Sequence, residues 1–169
     1  RQPEAFGNNS DDYAEVGRLW RWTIDRSSGI VTEEQVDNRP GDFGRVADKV
    51  VGLDANYGYL MAMAGEGNSE EPVYRSALWK YDLRTGFCLE HHLGDEVRGG
   101  EPVFAPDPNS DGEDEGWVIA VVHSEKSNAS KLIIIDAQDF ESDPVATVHL
   151  PRRVPYGAHG SWIADSAIA

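Results

Sequence analysis

A chain of 169 residues is long enough to bury one hydrophobic core, and a single domain is the expectation. Its 15 Lys and Arg against 30 Asp and Glu give a formal net charge of -15, which repels DNA, RNA and other polyanions at long range and excludes nucleic acid as a partner. The longest purely apolar runs, Trp117–Val122 and Leu132–Ile135, fall far short of the roughly 20 residues that a bilayer-spanning helix requires.

In chain order, residues 1–17 (RQPEAFGNNSDDYAEVG) are polar, rich in Gly, Asn and Asp, and without periodicity, which predicts a loop or disordered arm. Residues 18–169 then break into short segments rich in β-branched and aromatic residues. Strands are expected over Arg18–Asp25, Ile30–Val36, Tyr57–Ala64, Ala77–Leu83, Phe87–Leu93, Trp117–Ser124, Lys131–Ala137 and Val145–Leu150. Turn chemistry separates them at Asp25–Gly29, Arg84–Gly86, Glu125–Ser130 and Gln138–Pro144. No amphipathic helix is expected.

A weak repeat underlies the strands. LWRWTID, LWKYD and LIIID each end in an Asp, at positions 25, 82 and 136, and each is followed by a short polar turn and a returning strand. The spacing of 57 and then 54 residues suits a four-stranded antiparallel blade with its loops. The pattern therefore predicts an all-β fold of about three β-propeller blades, with a sandwich of the same strands as the alternative. Three blades cannot close a ring, so such a piece has open edges and needs the rest of a propeller beside it.

Three segments carry chemistry. In RRVPYGAHGSW (152–162), His159 lies between Gly157, Ala158 and Gly160, small residues that let the backbone come close to another group and leave an imidazole uncrowded. That setting suits a metal ligand, although a lone loop histidine is more often idle, because a ligand needs partners. In GGEPVFAP (99–106), Glu101 precedes Pro102 at the start of an apolar stretch, so its carboxylate is held near buried surface and needs a partner, for which a ligating imidazole N–H is suited. An exposed glutamate at a strand entry is the plainer reading. In NRPGDFGRV (38–46), Asp42 and Phe43 follow what reads as a Pro-Gly turn, and Asp42 is either a second such carboxylate or a turn residue.

Taken in order, RLWRWTID, NRPGDFGRV, YGYL, LWKYDLRTG, GGEPVFAP, GWVIAVVHS, LIIIDAQDF and VHLPRRVPYGAHGSW resemble the carotenoid cleavage oxygenase family, which includes apocarotenoid and lignostilbene-type oxygenases. The resemblance spans about Arg18 to Ile163 and is to the C-terminal portion of the family. It implies a seven-bladed propeller whose axis holds a non-haem Fe2+ on four histidines, several oriented by glutamates. Members cleave a carbon–carbon double bond of an apolar conjugated substrate with O2, giving two carbonyl products. By the resemblance, His159 matches the last iron ligand and Glu101 a glutamate that orients a ligand. Asp42 falls where the family has glutamate and Gly44 where it has proline, and Phe43 lines the substrate channel beside it, although an aromatic after a turn is more often a core residue. The shorter Asp42 side chain sets its carboxylate about 1 Å farther from an imidazole unless a water bridges the gap.

The family's other three histidines come from segments upstream of this stretch, and the remaining histidines here do not replace them. His91 and His92 are adjacent on a strand and point to opposite faces, while His123 and His149 lie within strand patterns without ligand-like spacing. One imidazole cannot hold Fe2+ against water, so the segment alone is expected to be inactive and to need the N-terminal part of the propeller. A non-catalytic partial propeller that binds proteins, with His159 idle, is the rival reading. DPNSDG (107–112) opens like a calcium loop but has Val118 where a bidentate Glu is required, and reads as an acidic, solvated hairpin loop. Cys88, the only cysteine, excludes an internal disulfide and reads as a small buried hydrophobe; it fits a reducing, cytoplasmic setting. The chain opens on Arg1, as a processed or truncated product would. Contact with a lipid surface is left open by the sequence.

Overall fold

The computed structural model describes residues 17–63, 74–155, 157, 159–165 and 168. The expected arm over 1–17 thus lies outside the described residues except for Gly17. Ten strands follow: β1 (Arg18–Ile24), β2 (Val31–Arg45), β3 (Tyr57–Met63), β4 (Tyr74–Asp82), β5 (Cys88–His92), β6 (Val97–Arg98), β7 (Val103–Pro106), β8 (Gly116–Ser124), β9 (Ala129–Asp136) and β10 (Ala146–His149). A short 3-10 turn lies at Asp48–Val50, and no α-helix occurs among the described residues. Every pairing is antiparallel.

The fold is all-β and organised as successive propeller blades. β2 belongs to two of them: its first part pairs with β1, and its last part pairs with β3 through Gly41, Asp42 and Arg45. β1 and the start of β2 form an outer hairpin; the end of β2 with β3, β4 and β5 forms a second blade. The third is the sheet β10-β9-β8, with β6 and β7 sharing the inner edge of β8.

The repeated Asp has a local cause. Asp25 Oδ1 accepts the Ser27 N–H at 2.8 Å, Asp82 Oδ1 the Arg84 N–H at 2.9 Å, and Asp136 Oδ1 the Gln138 N–H at 2.9 Å. Each carboxylate closes an Asx turn on the residue two ahead and reverses the chain into the outermost strand of its blade.

Alternation in β3 and β4 shows how the blades stack. Tyr59, Met61 and Leu78 face one way and join Phe104, Val118, Ala120, Val122, Ile133, Ile135 and Phe140 from the third blade in one buried cluster. Leu60, Ala62, Trp79 and Tyr81 face the other way, packed with Leu19 beneath the outer hairpin. The middle blade is therefore apolar on both faces, which is why YGYLMAM reads as a continuous apolar run without alternation.

One sequence expectation is corrected here. Pro40 and Gly41 form no turn; they are part of β2 at the crossing between two blades. Pro40 lies opposite Arg18, beside a register shift in the ladder, where a missing N–H is tolerated. Gly41 leaves room for the Trp79 ring, which a Cβ there would meet tightly, at 3.0 Å. The strands β6 and β7 were not expected either, being two and four residues long and split by Gly99–Pro102.

The 107–115 loop joins β7 to β8 as a hairpin connection, but its second half is docked rather than solvated. Glu113 accepts the N–H groups of Asn56 (2.7 Å) and Tyr57 (2.9 Å) on the middle blade. Asp114 meets Lys80 Nζ at 2.6 Å, and Lys49 Nζ takes the carbonyls of Asp111 and Gly112.

Candidate metal-ligand site

The innermost strands of the second and third blades are both interrupted, and the candidate residues sit at the interruptions. In β2 the register with β3 shifts between Asp42 and Arg45, and Phe43 takes a left-handed φ of 55°. Asp42 Oδ1 caps this irregularity by accepting the Phe43 N–H at 2.7 Å. Between β6 and β7, Gly100 runs so close to β8 that a Cβ would lie 2.7 Å from the Val121 carbonyl oxygen. That close approach turns the next residue, Glu101, inward, and its side chain is only 6 % exposed.

Glu101 spends its carboxylate on the chain beyond β10. Oε2 accepts the Gly160 N–H at 2.5 Å, and Oε1 lies 3.3 Å from His159 Nδ1. A carboxylate only accepts, so Nδ1 carries the proton and Nε2 is left with the lone pair that a metal ligand needs. Among the described residues Nε2 has no partner, and the His159 side chain is 75 % exposed. The Phe43 ring meets the imidazole edge-on with centroids 5.7 Å apart. Arg45 Nη1 lies 3.7 Å from Glu101 Oε1 and adds a cation to the pair.

The structure thus brings together His159, Glu101 and Phe43. Asp42 is exposed and bonded to its own neighbour, with no contact to His159 among the described residues. The glycines flanking His159 are not the tight ones: a Cβ at Gly157 would meet open space and one at Gly160 only ordinary contacts, while Ala158 lies outside the described residues. Steric need for glycine falls instead on Gly100. Arg45 escaped sequence reasoning because its partner is 56 residues away; its only signal was its place three residues after Asp42. Among the described residues no three His, Cys, Asp or Glu cluster as a metal site.

A cavity of about 340 Å3 opens beside the pair, lined by Phe43, Met61, Glu101, Leu132, His159 and Trp162 among others. Its walls are mostly aliphatic and aromatic, with the imidazole at the margin. The other histidines do different work. His91 is buried and donates Nδ1–H to the Phe140 carbonyl at 2.9 Å; burial pushes its pKa below the ordinary value. His92 and His149 are exposed. Cys88 is half-buried rather than buried, and burial raises its thiol pKa against the opposing pull of Arg39.

The chain belongs to the carotenoid cleavage oxygenase family: the family model described as RPE65, retinal pigment epithelial membrane protein, matches residues 1–164. It is 32 % identical over 157 residues to an apocarotenoid-15,15'-oxygenase of Synechocystis, covering 93 % of this chain and 31 % of that protein. It is 35 % identical over 145 residues to a carotenoid cleavage oxygenase of Mycobacterium tuberculosis, covering 85 % and 28 %. A third relative is lignostilbene-alpha,beta-dioxygenase isozyme III of Sphingomonas paucimobilis, 29 % identical over 174 residues, covering 98 % and 35 %. Among solved structures, the cobalt-substituted apocarotenoid oxygenase of Synechocystis superposes with a TM-score of 0.79 at 32 % identity, covering 88 % of this chain and 30 % of that one. The chain spans about a third of the length of the curated relatives it matches.

Proposed function

We propose that this chain is the C-terminal portion of a non-haem Fe2+ oxygenase that cleaves a carbon–carbon double bond of an apocarotenoid or stilbene with O2. The observation that carries the reading is the Glu101–His159 contact, in which the carboxylate accepts the Nδ1–H and the tautomer it favours leaves Nε2 as a ligand lone pair. The donor chemistry fits iron, since a neutral imidazole with a buried carboxylate behind it is a common ligand arrangement for such a metal. It is one ligand only. Three further histidines must come from the preceding part of the protein, so the segment alone is inactive. Bound iron supplies the activation of O2 for attack on the substrate.

The residues of this chain bind and orient. Glu101 fixes the imidazole plane by holding both Nδ1–H and the next backbone N–H. Asp42, an exposed residue, orients a histidine from outside this segment, directly or through a water. Phe43 and the apolar cavity wall hold a conjugated apolar substrate and keep water from the reacting bond. The high exposure of His159 favours the rival reading of a non-catalytic binding module, in which no metal covers the ring. Co-expression with the missing portion decides between them. Uptake of iron and cleavage of a stilbene or apocarotenoid, both lost in His159→Ala, supports the oxygenase; a folded, iron-free and inactive assembly supports the module.

A further inference from the structure

Between β10 and His159 the chain must reverse from the outer edge of the third blade toward its inner strand, and one buried residue holds the reversal. Ser130 is 1 % exposed. Its backbone carbonyl accepts the Leu150 N–H at 3.1 Å, directly after β10, and its Oγ accepts the Val154 N–H at 2.9 Å, four residues later. Both ends of the 150–154 bend are therefore tied to the same residue. Oγ also lies 3.3 Å from His123 Nδ1, its cross-strand partner in the β8–β9 ladder. A hydroxyl has one donor and two acceptor sites. With Oγ accepting from Val154, it either donates to His123 Nδ1 or accepts a second N–H from it, according to the imidazole tautomer, and the ring's other nitrogen is Nε2. That nitrogen lies 3.9 Å from Glu125 Oε2, and Glu125 is in turn paired with Arg98 at 2.6 Å.

We propose that Ser130 is a positioning residue for His159: it fixes the start of the loop that Glu101 fixes at its end, so the imidazole is aimed by two anchors that both line the cavity. Ser130, His123, Val154, Gly157 and His159 all line that cavity. Pro155, directly after Val154, has no N–H with which to add a further backbone tie. The inference rests on His159 being an iron ligand and adds how its loop is held.

The test uses the complete iron-loaded protein carrying this segment, in wild-type, Ser130→Ala, Ser130→Thr and His159→Ala forms. Two quantities are read: the rate of iron loss to a chelator, and hydrogen exchange of the 150–160 peptide by mass spectrometry. Ser130→Ala is expected to speed iron loss about tenfold and to raise exchange in 150–160 while β8 and β9 stay protected, because ligand-orienting contacts affect metal affinity by about that factor. Ser130→Thr keeps the hydroxyl and restores both. Wild-type exchange and iron loss in Ser130→Ala, with iron absent from His159→Ala, overturns the role of Ser130 and leaves the metal reading intact. Iron retained by His159→Ala overturns the metal reading itself. If the alanine variant does not fold, Ser130→Cys, which keeps the size but bonds weakly, reads the same two quantities with the same two outcomes.

Discussion

Removal of the Asp114 carboxylate exposes how the blades are locked together. Lys80 on β4 is buried, and its ammonium is held by Asp114 Oδ2 at 2.6 Å, by the Ala137 carbonyl at 2.7 Å and by the Tyr57 ring face at 4.4 Å. Two of these partners belong to the third blade, so the contact is a clamp between neighbours. Taking one partner from a buried ion pair costs about 3–5 kcal/mol, because an uncompensated charge is left behind. Here the carbonyl and the aromatic face remain, the latter worth about 1–2 kcal/mol when desolvated. The Asp114→Ala loss is therefore expected near the lower end, about 3 kcal/mol. Lys80→Met should cost less, about 1–2 kcal/mol, because the Asp114 side chain is 16 % exposed and can reach water. The double variant should be more stable than the two separate losses added together imply, with a coupling of at least about 1.5 kcal/mol. Urea unfolding of the four proteins at neutral pH, followed by tryptophan fluorescence, measures the cycle. Additive losses, or a loss below about 1 kcal/mol in Asp114→Ala, would refute the clamp.

Other changes test separate parts of the account. Tyr59 is wholly buried, and its hydroxyl has no hydrogen-bond partner among the described residues; Tyr59→Phe should raise stability by about 1 kcal/mol in the same unfolding assay. His91 has a lowered folded-state pKa, so the unfolded chain binds the extra proton first as pH falls below about 6.5, and stability declines in that window. In His91→Gln that part of the pH dependence should vanish, which thermal melts between about pH 7.5 and 5 would detect. Glu101→Gln keeps the shape of the side chain but has one acceptor oxygen for two N–H groups; iron affinity of the complete protein should fall by about 10–100-fold. An unchanged affinity in an iron titration would remove Glu101 from its assigned role.

What could be read from the sequence was what acts locally. β-branched and aromatic runs located eight strands, and an Asp that closes its own turn marked three blade hairpins because donor and acceptor are two residues apart. Pro40–Gly41 misled because Gly41 answers to the Trp79 ring, a neighbour 38 residues ahead, and not to turn geometry. β6 and β7 are too short for periodicity to register, and they hold together only through β8. At the site, family resemblance singled out His159 and Glu101, which lie 3.3 Å apart, whereas the flanking glycines of His159 gave no steric signal, since both are uncrowded. Arg45 and Ser130 were not, since their roles depend on partners 56 and 24 residues away that only the blade stacking brings near.

The proposed iron centre depends on the ring at position 159, with its other ligands supplied from outside this segment. Metal analysis of the complete protein, of its His159→Ala form and of the 169-residue chain alone tests that most directly. Stoichiometric iron in the first and none in the other two is the predicted result. Iron held by the chain alone, or kept when the imidazole is removed, would contradict it.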